Sequence, residues 1–331
     1  MNATRRRLLC GSAAATAATL LPGALPGAAH AQAQATWPSK TIRAIVPFTP
    51  GSTTDVIGRI VADALGPVLG QTILVENRSG AGGTIGSAAV AQSAADGYTL
   101  LLNASAHSAA PAAFPNAPYN AGTDLQGVVV FGVVPNVIVV QAERGIKSLK
   151  QLVDMAQKGN MTFASAGIGS ATHWAAERFR LSAGFKAEHV PYKGGPEGLA
   201  DVAAGRVDFM AIGSTSALPF IQGGRLVPLA VTTRQRSSLF PNIPTTIESG
   251  FADSDYTFWN GMLVPAKTPA PIIARLYGET TKLMKTPAIA ERLAKQGVEP
   301  MPLTPAEFDA LIAREIAANI AIVKAAGLKF G

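Results

Sequence analysis

One cysteine, Cys10, is all the thiol chemistry that the 331 residues contain. It stands before the apolar part of the leader, the wrong side for a lipid-bearing cysteine. With the leader removed, the chain has neither a disulfide nor a thiolate to work with. Charged residues make up 15% and aromatics 6% of the chain, and no stripe of Lys and Arg is interleaved with aromatics, which excludes a nucleic-acid footprint. Outside the leader no run reaches the roughly 18 apolar residues that a bilayer span needs. Histidine is scarce too. Past the leader only His107, His173 and His189 remain, without an i, i+4 pair or a carboxylate at ligand spacing, so no metal centre is expected. There is no G-x-S-x-G elbow for an esterase. Gly80 to Ser87 lacks the lysine of a phosphate-binding loop. Gly167-x-Gly169 has Thr172 where a third glycine would complete a dinucleotide fingerprint, and no acid ends the next strand. No cofactor is expected.

What is present is a core-forming composition, with 48% hydrophobic residues, enough for one large or two medium domains. Residues 1–35 read as an export signal: a basic start, an Ala/Leu segment from Cys10 to Leu25, and small-x-small cleavage sites at Ala29-His30-Ala31 and Ala33-Gln34-Ala35. The order Thr4-Arg5-Arg6-Arg7-Leu8-Leu9 resembles a twin-arginine signal, with a Sec route as the alternative. Removing Arg5, Arg6 and Arg7 takes the net charge from +7 to +4, a mild balance suited to small anions. The expected location is periplasmic.

The chain is organised around Val46 to Asp55. A β-branched strand from Thr41 to Phe48 leads into Thr49-Pro50-Gly51-Ser52-Thr53-Thr54-Asp55, and the apolar residues beyond recur at helical spacing. The N–H groups and dipole at such a helix start form an anion site; the alternative is a plain turn capped by Asp55 or a Thr. Strands and helices then alternate, giving βαβ units and a parallel sheet whose ligands bind at the carboxyl ends of strands. Ala104 to Ser108, with Ser105 and His107, lies at such an end. A second series begins near Val133. Its loops include Ala166 to Thr172, Lys193 to Pro196 and Gly213-Ser214-Thr215, each opening a helix. Phe258 to Val264 is one more strand. The helical remainder, with a capping-box start at Thr304 to Glu307, returns to the first domain, so that two segments cross between domains and permit hinge closure.

Several side chains carry two readings each. His107 and His173 follow strand ends, where an imidazole either donates to a carboxylate or serves as a local cap. Tyr192 either offers its phenol to the cleft or is an ordinary half-buried tyrosine. His189 lies within a strand and reads as structural, and Phe258 reads as aromatic core or hinge lining.

The order of motifs resembles one family. Val46-Pro47-Phe48-x-Pro50-Gly51, Val75-Glu76-Asn77-Arg78, Gly80-Ala81-Gly82-Gly83, Asp96-Gly97-Tyr98-Thr99-Leu100, Phe163-Ala164-Ser165-Ala166-Gly167 and His189-Val190-Pro191-Tyr192-Lys193-Gly194 are similar to the Bug proteins, extracytoplasmic solute receptors of tripartite tricarboxylate transporters. The resemblance spans the chain beyond the leader. It implies a two-lobed, type II-like periplasmic binding protein of α/β class, each lobe a mainly parallel sheet flanked by helices, with residues 36–132 plus 258–331 as lobe 1 and 133–257 as lobe 2. It also implies no catalysis, a monomer, membrane transporter subunits as partners, and a carboxylate held by backbone amides and hydroxyls. Those groups fall on Thr49, Gly51, Ser52, Thr53 and Asp55, and on Ala166, Gly167, Ser170 and Thr172, with Ser105, His107, His173, Tyr192, Gly213 and Ser214 as further candidates. Two departures stand out. Ser52 replaces a second glycine, and Ala211-Ile212-Gly213 stands where relatives often carry an acid, which favours a dicarboxylate or aromatic carboxylate over an amino acid. A sensor for a signalling partner and an exported hydrolase using Ser170 with His173 are the alternatives.

Overall fold

The computed structural model describes residues 37–327; the export signal and its cut points lie outside the described residues. The first strand, β1 (Ile42–Val46), is β-branched and largely buried. The chain turns at Gly51, whose φ of +77° falls in the region glycine tolerates. Helix α1 (Thr53–Leu69) then begins behind Ser52, whose Oγ accepts from Asp55 N. The cap is thus Ser52, where the sequence pointed to Asp55 or a Thr. Its extended backbone, φ −64° and ψ 154°, needs no glycine, so the serine in the second glycine position fits without strain.

Two five-stranded sheets follow from this start. The first joins β1 to β2 (Ile73–Asn77), β3 (Thr99–Ala104), β4 (Leu125–Val133) and β10 (Trp259–Pro265), in the order β2-β1-β3-β10-β4. Helices α2 (Thr84–Ala91) and α3 (Ala106–Ala113) connect its early strands. The second comprises β5 (Asn136–Gln141), β6 (Met161–Ser165), β7 (Ala187–Pro191), β8 (Phe209–Gly213) and β9 (Leu226–Val231), in the order β7-β6-β8-β5-β9. Its helices are α4 (Leu149–Ala156), α5 (Ala171–Ala183), α6 (Gly195–Ala203) and α7 (Ser214–Gln222). The molecule is a two-lobed α/β protein. In each sheet one strand runs against its neighbours, β10 in the first and β5 in the second, and each is the strand that enters from the other sheet.

The crossings run side by side. Val134 N donates to Phe258 O at 2.9 Å and Tyr256 N to Thr232 O at 2.8 Å, while Val133 and Glu299 exchange two bonds of 2.8 Å. After β10, α8 (Ala270–Met284) and α9 (Pro287–Lys295) pack on α1, and α10 (Pro305–Ala326) packs on α3 and β4. The Thr304–Glu307 capping box is formed.

Two elements went unread in the sequence. In α3, Pro111 interrupts an Ala-rich stretch with no apolar period. In β4, nearly continuous burial leaves no alternation to read. Both matter, because α10 is tied to them. Asp309 Oδ1 accepts from Gly127 N of β4 at 2.7 Å, and Glu315 Oε2 accepts from Ser108 Oγ of α3 at 2.6 Å and from Trp259 Nε1 of β10 at 2.8 Å; burial pushes the Glu315 carboxyl above the usual range although its two bonds pull it down.

His107, in the first turn of α3, is buried, and its Nε2 donates to Ala121 O at 2.9 Å. Burial pushes this imidazole from its ordinary 6.5 down to about 4, against the opposing pull of the Ala121 bond. The folded chain therefore keeps His107 neutral where the unfolded chain is protonated. Its contribution to stability is complete above about pH 6.5 and is lost as pH falls towards 4. Denaturant unfolding should show stability declining in that window by about 1.4 kcal/mol per pH unit from this one residue, and His107→Gln, which keeps a donor for Ala121 O, should flatten the decline by that amount. For Glu315, both donors share one oxygen, which a glutamine carbonyl can replace without a buried charge. Glu315→Gln is expected to hold or raise the melting temperature, whereas Glu315→Ala should cost about 1–3 kcal/mol by leaving Trp259 Nε1 without an acceptor.

Candidate functional site

Four helices, α1, α5, α6 and α7, start at strand ends that face one another between the lobes. A narrow cavity of about 30 Å³ lies among them. Phe48, Ser52, Thr53 and Thr54 line it from the first lobe, and Phe258 from the crossing segment. Ala166, Ser170, Ala171, Thr172, Ile212 and Ser216 line it from the second lobe, with Gly195. A larger hollow of about 520 Å³ between α1 and β2 is an open surface groove away from these helix starts.

The ends of α1 and α5 are built alike. Ser170 Oγ accepts from His173 N at 3.3 Å, as Ser52 Oγ does from Asp55 N. Each serine satisfies the third N–H of its helix and leaves the first two. Among the described residues the amides of Thr53, Thr54, Ala171 and Thr172 have no hydrogen-bond partner, as expected for a first helical turn. These are two donors from each lobe, each at the positive end of a helix dipole, and all four residues line the cavity. No charged side chain does. The hydroxyls are largely committed: Thr172 Oγ1 accepts from Ala166 N at 2.8 Å and contacts Ser170 Oγ at 3.0 Å, and Thr53 Oγ1 meets Ser216 Oγ across the cleft at 3.1 Å.

Other candidates from the sequence hold the loops. Gly51 N donates to Asp55 Oδ2, and Asp55 Oδ1 takes bonds from Arg59 Nε at 2.9 Å and Asn77 Nδ2 at 2.8 Å. Burial presses the Asp55 carboxyl upward, but these bonds outweigh it and hold it below its ordinary value. Gly51 N–H and the Asp55 carboxylate are thereby occupied within the loop. Thr49 Oγ1 donates to Glu197 across the mouth of the cleft at 3.3 Å. Gly167 N is held by Ser165 Oγ. Gly213 is where Thr53 Oγ1 comes so near that a side chain would clash.

Five candidates point elsewhere. His107 is turned into the first lobe. Ser105 is buried beside Trp259, whose carbonyl accepts its N–H. Ser214 is fully buried, its N–H on Pro135 O. The Tyr192 hydroxyl donates to Asp201 and is pushed up to about 12, by burial first and by that carboxylate second. His173 lies beneath the α5 loop, its Nδ1 accepting from Gly169 N and its ring stacked 4.0 Å from that of His189. Burial and the nearby His189 and Arg180 push it down to about 3. Ser170 Oγ bonds the main-chain N–H of His173, and the Nδ1 of that ring is engaged by Gly169, so the geometry does not pair Ser170 with a base.

The residues missed were Phe48, Thr54, Ala171, Gly195, Ile212, Ser216 and Phe258. Thr54 and Ala171 sit inside the loops singled out in the sequence, and their helix positions were the available signal; of the apolar wall only Phe258 carried one, as hinge lining. Among the described residues no cluster of His, Cys, Asp and Glu could hold a metal ion, and no helix is long and apolar enough to cross a membrane.

This arrangement has counterparts. The chain is 35% identical to protein BugT of Bordetella pertussis over 336 aligned positions, covering 99% of each chain. The solved periplasmic binding protein BugD superposes with a TM-score of 0.85 at 30% identity, over 88% of this chain and 99% of that one. An R. palustris protein solved with adipate matches with the same TM-score, identity and coverage. Residues 57–328 match the model of the tripartite tricarboxylate transporter family receptor, TctC. The chain belongs to this family of solute-binding receptors, not to an enzyme family.

Proposed function

We propose that this chain is a periplasmic receptor that closes on one small organic acid and delivers it to a tripartite tricarboxylate-type membrane transporter. The observation that carries the proposal is the pairing of uncommitted amides, Thr53 and Thr54 from one lobe with Ala171 and Thr172 from the other, around one cavity. A carboxylate there takes charge-assisted bonds from both lobes and so holds them together. The cross-lobe contacts of Thr53 with Ser216 and of Thr49 with Glu197 complete the closed form. A single chain supplies both halves of the clamp, so it acts as a monomer. The cavity lining contains no acid that would receive an ammonium group, which favours a dicarboxylate or an aromatic carboxylate over an amino acid, and the R. palustris relative solved with adipate is consistent with a carboxylate ligand.

Calorimetric titration of the protein, stripped by unfolding and refolding, against organic acids tests this directly. Saturable binding of a carboxylate but not of its amide is expected; a demonstrably empty protein that binds no organic acid would overturn the proposal. Ala171→Pro probes the clamp itself. Proline deletes one N–H at a helix position that accepts it, and Ser170 already has the extended backbone, φ −68° and ψ 161°, that a residue before proline requires. Affinity should fall by roughly 10- to 150-fold, about 1.5–3 kcal/mol, with the melting temperature nearly unchanged. Full affinity in this variant would mean that the α5 amide does not touch the ligand.

A further inference from the structure

Where the two lobes touch, they meet through glycines. Gly82, in the Gly80 to Gly83 loop of the first lobe, lies so close to the second that a methyl added there would come 2.0 Å from Ile168 O. From the second lobe, a methyl on Gly169 would meet Ala113 Cβ of α3 at 2.8 Å, one on Gly194 would meet Thr49 Oγ1 at 1.7 Å, and one on Gly213 would meet Thr53 Oγ1 at 2.4 Å. In all four cases the obstructing atom belongs to the opposite lobe. Backbone conformation divides the four. Gly82 and Gly169, with φ of +59° and +74°, sit in the region that favours glycine whatever its neighbours. Gly194, at φ −162° and ψ 169°, and Gly213, at φ −55° and ψ 133°, have backbones that any residue adopts. At Gly194 the three nearest atoms to an added methyl are Thr49 Oγ1, Thr49 Cβ at 2.8 Å and the carboxylate end of Glu197 at 3.0 Å. Its own lobe thus contributes only the movable tip of a glutamate to this crowding; the rest comes from across the cleft.

We infer that these glycines form a bare seam that sets how far the lobes close, and that Gly194, against Thr49, is a positioning residue for ligand retention; the inference rests on the carboxylate-receptor reading above. A glycine has no rotamers to order when the lobes meet and no apolar side chain to bury. The seam therefore permits close approach without fastening it. What fastens the lobes is the anion between the ends of α1 and α5, and the seam lets those ends come near enough to share it. A methyl at position 194 leaves the open cleft accessible but props the lobes apart once they swing together. A bound acid then escapes sooner, while its entry is unaltered.

The test follows binding and release of malate, adipate and benzoate by stopped flow on the stripped protein. For whichever acid binds most tightly, Gly194→Ala should raise the dissociation rate roughly tenfold or more while the association rate changes less than about threefold, with the melting temperature of the ligand-free protein nearly unchanged. Thr49→Gly removes both obstructing atoms. In that background Gly194→Ala should alter the dissociation rate less than about threefold, a rescue that a general loosening of the loop would not give. An unchanged dissociation rate in Gly194→Ala, or an equal loss in the Thr49→Gly background, would overturn the seam and leave the carboxylate receptor standing. Failure of all three acids on a demonstrably empty protein would overturn both.

Discussion

Main-chain N–H groups at the first turn of a helix have no acceptor within that helix, and in this molecule two such pairs face each other across a closing cleft. In an open form water can satisfy them. In the closed form they are withdrawn from water, and a buried donor without an acceptor is costly. The lobes can therefore stay together at low cost only when something anionic lies between the ends of α1 and α5. On the proposed reading, ligand binding and closure are one event, because the groups proposed to bind are the groups that closure buries.

The rest of the architecture aims those ends. β1 and β6 deliver their chains to the cleft, and a serine cap at each helix start fixes which amides remain free. Behind the first loop, Asp55 is a brace: with Arg59 and Asn77 it fastens Gly51, and Asn77 also reaches Phe48 O. Behind the second, Ser165, Gly167, Thr172 and the stacked His173–His189 pair fix the backbone. The crossing segments and the Val133–Glu299 bridge join the two sheets side by side. The proposed recognition of charge thus rests on the backbone, and side chains set its position.

Much of this was legible in the chain. The strand-loop-helix start at Gly51, the loop at 166–172, the α/β series and the capping box at Thr304 all depend on local chemistry, which short stretches of sequence carry. Ser52, Thr53, Ala166, Ser170 and Thr172 could be placed on the cleft for the same reason. His107 and Tyr192 could not be judged this way, since their surroundings, Ala121 in one case and Asp201 in the other, are settled by packing. The apolar wall was mostly hidden: Phe258 already carried a second reading as hinge lining, but Ile212 looks like an ordinary core position until the two lobes are brought together.

A clamp made from main-chain atoms has a consequence for how such a receptor changes over generations. Almost any substitution leaves an amide in place, so the capacity to hold a carboxylate is hard to lose by point mutation. The wall opposite it, by contrast, consists of a few replaceable side chains. On the proposed reading, a lineage built on this plan can alter what surrounds the ligand through side chains such as Ile212 while the amides of α1 and α5 stay in place.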